Sequence, residues 1–198
     1  MFGPLVAAQA TLPLVIERGN SERALTVPVT RACGFAIELG NADNINSYAD
    51  GQRIMVTRGM LFFAENDEEL AVLIAKGMAH NIFAHATTTR STGTISDIID
   101  NLVRVRPDTS MLIGSAGIKA MPAELDTAAD TLSMFLLARA GYRIESAAPF
   151  WKRLDKAYPA TVLSGYVANH PATTARLAAI DKAVADIKSR GSRKNLLP

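Results

Sequence analysis

Lys76-Gly77-Met78-Ala79-His80 lies inside an apolar, helix-spaced run from Leu70 to Ile82. A helix carrying H-E-x-x-H sets two histidines one turn apart on one face. They hold zinc, and the glutamate acts as general base toward the metal-bound water. In that register Lys76 takes the first histidine position and Gly77 the glutamate position, so His80 alone remains of the three groups. Lys76 and His80 still share a face at i, i+4. His85, five residues past His80, is off that face of a continuous helix. Glycine inside a helix costs about 1 kcal/mol relative to alanine, so Gly77 marks close packing or a lost side chain. A lone helical histidine is more often a packed or surface side chain than a ligand.

Two further constellations carry chemistry. Asp126-Thr127-Ala128-Ala129-Asp130 sets two carboxylates at i, i+4. The plain reading is a solvated acidic face. The sharper one is Asp126 as a metal ligand with Asp130 behind it. His170-Pro171, with Arg176 five residues after the proline, is by itself only a helix-start signal.

These groups need elements to position them. Residues 12 to 30 read as a β-hairpin, with Gly19-Asn20-Ser21 as its turn and Pro28 at an edge or end. Short strands are expected at Cys33–Leu39 and Ile54–Thr57, with an extended segment from Asn46 to Leu61. A helix capped by Asn66 or Asp67 runs to about His85. A Thr- and Ser-rich loop covers Ala86 to Gly93, and a short helix covers Ile95 to Val105. Met111 to Met121 is apolar and small. Pro122 opens a helix from Ala123 to Ala140, which Gly141 closes. Further helices are expected at Ser146–Ala157 and from Ala172 to about Ser189. Phe150, Trp151, Leu154 and Tyr142 read as core or helix contacts. Lys182, Asp186, Lys188 and Arg190 read as solvated surface.

The bulk numbers fit one domain, or one domain and an arm: 198 residues, 48% hydrophobic, 20% charged, net charge +2. No basic stripe with interleaved aromatics points to nucleic acid. The one cysteine, Cys33, excludes an intrachain disulfide and reads as a small buried hydrophobe. No apolar run approaches the ~20 residues that cross a bilayer, and no signal-peptide pattern is visible at the start of the chain.

In order and spacing, the segments from about residue 33 to 185 resemble a family. They are similar to the small zinc metallopeptidases that include the prenyl-protein endopeptidases and the bacterial heat-shock membrane peptidases, especially their soluble bacterial branch. The resemblance rests on Asn46-Ser47-Tyr48-Ala49-Asp50-Gly51, Val56-Thr57-Arg58-Gly59-Met60-Leu61 and Asp67-Glu68-Glu69-Leu70-Ala71-Val72-Leu73-Ile74-Ala75. It continues through Ala129-Asp130, Ala140-Gly141-Tyr142 and His170-Pro171 followed by Arg176.

The resemblance implies an α+β, mainly helical, zincin-like domain at 33–189, with a small mixed β-sheet beside the active-site helix. The arm at 1–32 resembles the end of a PDZ-like domain, such as precedes some relatives, and 190–198 is a basic frayed tail. The family holds its metal with two histidines and a glutamate. Here those positions are Lys76, His80 and Asp126, with Asp130 and His170 behind them. The catalytic glutamate position is Gly77, so no catalytic residue and no cofactor are expected. The substrate strand of such enzymes maps to Ser47, Tyr48, Ala49, Asp50 and Ile54.

The leading expectation is a pseudo-peptidase kept for binding an extended peptide or protein segment, with Lys76 pairing with Asp126 or Asp130 where zinc would sit. One alternative is an active metalloendopeptidase with a non-standard zinc site using His80 and Asp126, with His170 or His85. Another is an assembly subunit that pairs with an active paralogue, while the binding reading also admits a second copy of the chain as partner. The family also implies a bacterial envelope setting.

Overall fold

The computed structural model describes residues 11–19, 21–28, 34–89, 92–104, 122–158 and 174–191. Cys33, His170, the apolar segment 111–121 and the tail from 192 lie outside the described residues. The chain divides into two compact units, Met1–Gly34 and Phe35–Pro198.

In the first unit, β1 (Thr11–Arg18) and β2 (Ser21–Pro28) form an antiparallel hairpin. Gly19 takes φ +53° in the turn, a conformation glycine adopts without a Cβ penalty. Leu14 opposes Leu25, and opposed side chains share a face.

The second unit is α+β and mainly helical. Its sheet has the order β3-β5-β4, from β3 (Ala36–Gly40), β4 (Ser47–Ala49) and β5 (Arg53–Thr57). β3 runs parallel to β5 and β4 antiparallel, which makes the sheet mixed. The central strand is the most apolar, and Ile54, Met55 and Val56 are all buried.

The extended reading of Arg58 to Leu61 is corrected. α1 (Arg58–Phe63) starts directly after β5, because the Thr57 hydroxyl accepts from the Met60 N–H at 3.2 Å and caps it. Gly59 permits this turn, since a Cβ there would meet the Asp43 carbonyl oxygen at 2.1 Å.

α2 (Asp67–Ile82) opens as its sequence predicts. The Asn66 side chain accepts from the Glu69 N–H at 3.1 Å, and Asp67, Glu68 and Glu69 fill the first turn. It ends three residues earlier than expected. Ala84 takes φ +53°, and a new turn, α3 (His85–Thr88), forms where a loop was expected.

α4 (Thr92–Arg104) and α5 (Ala123–Ala140) follow, and Gly141 at φ +89° closes α5. A 3₁₀ turn (Ile144–Ser146), α6 (Ala147–Ala157) and α7 (Thr174–Arg190) complete the described elements.

The main core gathers Val72 and Leu73 of α2, Met134 and Phe135 of α5, Phe150, Trp151 and Leu154 of α6, and Ile180 of α7. Burying each such side chain contributes about 1.5–3 kcal/mol, and together they fix the rotation of α2 against α5. A second cluster packs Tyr48 and Met55 of the sheet on Ile95 and Ile99 of α4. Tyr142 departs from its core reading. It follows the helix-ending Gly141 and is 41% exposed.

Candidate functional site

α2 and α5 pack side by side and bring the sequence-predicted groups together. The Lys76 Nζ lies 2.7 Å from Asp126 Oδ1 and 3.2 Å from Asp130 Oδ1. At these distances the contacts are ion pairs, although their angles fall short of hydrogen bonds at Nζ. All three residues are buried. Helical spacing accounts for the arrangement: Asp126 and Asp130 are one turn apart on α5 and point the same way, toward Lys76 and His80, also one turn apart on α2. The solvated-face reading of the two aspartates is therefore corrected.

Arg176 of α7 completes the cluster. Its Nε lies 2.8 Å from Asp130 Oδ2, and its Nη2 donates to Asp130 Oδ1 at 3.0 Å. The guanidinium thus holds Asp130 by one hydrogen bond and a second close ion-pair contact. The guanidinium also stacks on the Trp151 ring at 3.6 Å from the centroid, and the Lys76 Nζ lies 5.1 Å from the same ring. Two cations thus face two carboxylates under an indole roof, and their formal charges cancel. Arg176 was visible in the sequence as the end of the His170-Pro171 segment, but nothing there revealed which carboxylate it would meet.

His80 and His85 form the other end of the site. The sequence placed them on different helical faces, and that expectation is overturned. The break at Phe83–Ala84 turns the chain back, so the two Nδ1 atoms lie 2.9 Å apart. His80 Nε2 is 3.5 Å from Asp126 Oδ1. One set of tautomers satisfies this chain: His85 Nδ1–H donates to His80 Nδ1, and His80 Nε2–H faces Asp126. Burial lowers the pKa of His80 below the ordinary imidazole value, with Asp126 opposing and Lys76 adding to the shift. Burial and the neighbouring His80 bring His85 down to about 4. Both shifts favour the neutral rings.

The strand positions are built into the interior. Ser47, Tyr48, Asp50 and Ile54 are buried, and Ala49 is half-buried. The Tyr48 hydroxyl accepts from the Asn46 Nδ2 at 3.0 Å, and burial pushes its phenol up to about 12. Burial raises the Asp50 carboxyl, but hydrogen bonds from the Gln52 and Arg53 N–H groups, Arg53 Nε and the Ser96 hydroxyl outweigh it and hold the pKa below the usual value. Asn81 of α2 pins the same turn. Its Oδ1 accepts from the Gly51 N–H at 2.8 Å, and its Nδ2 donates to the Arg53 carbonyl at 3.1 Å.

The donor set does not fit a zinc ion. A zinc–carboxylate bond is about 2.0–2.2 Å long, and a catalytic site takes about three protein ligands. An ammonium already stands 2.7 Å from the carboxylate oxygen that would be a ligand. A dication there would be pressed against a cation of like sign. Among the described residues, no group of three or more His, Cys, Asp or Glu is placed to hold a metal ion. Nor is any described helix long and apolar enough to cross a membrane.

The family model described as Peptidase family M48 matches residues 21–184. No curated protein matches the chain.

Proposed function

The chain belongs to peptidase family M48, and from that premise we propose that it is a pseudo-peptidase, retained for binding rather than for hydrolysis. The observation that carries the reading is the Lys76 ammonium, 2.7 Å from Asp126 and 3.2 Å from Asp130. Family M48 is in general zinc-dependent, and in this chain a side-chain cation neutralises the carboxylates instead. Gly77 supplies no carboxylate to take a proton from water, so this position offers no general base.

Binding needs a surface that survives the loss. An apolar groove of about 440 Å³ lies beside α2, lined by Ile37, Leu70, Ile74, Met78, Leu136 and Tyr142 among others. Grooves of this size and polarity suit apolar side chains of an extended segment. The strand positions Ser47, Tyr48 and Ile54 are less suited to read side chains, because their own side chains are buried.

Metal analysis and a cleavage assay on the full chain test the proposal. The expected result is zinc well below one equivalent and no cleavage of an unfolded protein. One zinc per chain with chelator-sensitive cleavage overturns it, in favour of a hydrolase built on His80, His85 and Asp126.

A further inference from the structure

Gly77 faces the sheet at unusually close range. A Cβ built on it would lie 2.7 Å from Ile54 Cγ2, 3.2 Å from Cγ1 and 3.4 Å from Cδ1. Real Cβ atoms essentially never approach another heavy atom below 3.0 Å. Cγ2 is bonded directly to the Ile54 Cβ, so it cannot swing away without a change of χ1, and β-branched side chains are stiff there. Ile54 is fully buried in the central strand.

The strand is also fastened at this point. Asn81 lies one helical turn past Gly77 on the same face of α2, and it holds the Gly51 N–H and the Arg53 carbonyl. The residue before Ile54 is therefore tied to the helix that Ile54 packs against.

We infer that Ile54 is a steric seal: it fills the place at Gly77 where a general base would have to stand, and closes that part of the α2 face to any side chain. The seal is separate from the charge at Lys76. One barrier excludes a dication and the other excludes the group that would activate its water. Restoring ligand types alone therefore leaves the position of the general base closed. The inference rests on the pseudo-peptidase reading only for this functional meaning, since the contact itself involves no charge.

A thermal-unfolding cycle on the full chain tests it. Alanine is intrinsically better than glycine inside a helix, so an unobstructed G77A raises the midpoint by a few degrees. With Ile54 in place, G77A is expected to lower the midpoint instead, because overpacking outweighs helix propensity. In an I54A background the sign reverses, and G77A raises the midpoint relative to I54A alone. If G77A does not fold, the I54A/G77A chain still must, at a midpoint no lower than that of I54A. A rise on G77A with Ile54 present, or an equal fall in both backgrounds, overturns the seal.

A second arm separates the two barriers. K76H/D126E is expected to gain zinc binding whether or not Ile54 is changed, and its failure counts against the Lys76 reading alone. Adding G77E is expected to weaken that binding roughly tenfold or more unless I54A is present. Equal zinc affinity with and without I54A counts against the seal alone.

Discussion

Lys76→Met isolates the charge that the site depends on. Methionine keeps most of the aliphatic stem and removes the ammonium. The Lys76, Asp126 and Asp130 side chains are 3%, 5% and 1% exposed, so water cannot replace the lost cation. Asp130 keeps its two contacts from Arg176, whereas Asp126 loses the cation 2.7 Å away. Removing one partner of a buried ion pair typically costs 3–5 kcal/mol, because the other charge stays buried and uncompensated. In a chain of this size about 1 kcal/mol moves the midpoint by roughly 2–4 °C, so K76M is expected to melt about 6–20 °C lower.

Chemical denaturation of K76M, D126N and the double variant gives the coupling. K76M/D126N should lose less than the two single losses added together, by about 0.5–3 kcal/mol, since it removes both charges of the ion pair at once. A K76M chain within about 0.5 kcal/mol of the parent would refute the reasoning, because that is the effect of a surface substitution.

Acid should destabilise the chain in a defined window. The pKa of His85 falls from 6.5 to about 4 on folding, and that of His80 is also lowered. The unfolded state therefore binds more protons over this range, so stability is full above about pH 6.5 and falls as pH drops toward 4. Urea midpoints measured from pH 7.5 to 4.5 should show this fall, and His85→Gln should flatten it. Asn81→Ala leaves the Gly51 N–H and the Arg53 carbonyl without their side-chain partner, and should cost about 1–3 kcal/mol by denaturation. Hydrogen exchange at Gly51 should also quicken in that variant, which a purely global loss of stability would not single out.

The sequence carried the scaffold well where period and caps agree. Asn66 followed by three acids, and Pro122 and Gly141 around an apolar helix, placed α2 and α5 closely. Lys76, His80, Asp126 and Asp130 were legible as one site only through the family resemblance, since i, i+4 spacing shows which side chains share a helical face and not which faces meet. What was not legible depended on single backbone torsions or on the third dimension. Ala84 at φ +53° is not a residue that announces a left-handed turn, so the return of His85 onto His80 could not be read. Thr57 caps a helix only because β5 ends there, and the same residues continue a strand equally well on paper. The contact of Gly77 with Ile54 joins residues far apart in sequence, and a helical glycine says only that something is near. Arg176 stacking on Trp151 joins α7 to α6 in the same way.

The ion cluster beneath Trp151 also changes what the fold depends on outside itself. A protein whose native state binds a dissociable metal gains stability as RT ln(1 + [metal]/Kd), so its folded population follows the supply of that metal. Here the counter-cation is covalently part of α2 and is present at a fixed effective concentration in every molecule. No chelator can remove it, and no competing ion needs to be excluded by affinity. On the pseudo-peptidase reading proposed above, the folded population is uncoupled from metal supply, and unfolding midpoints measured with and without a chelator should coincide.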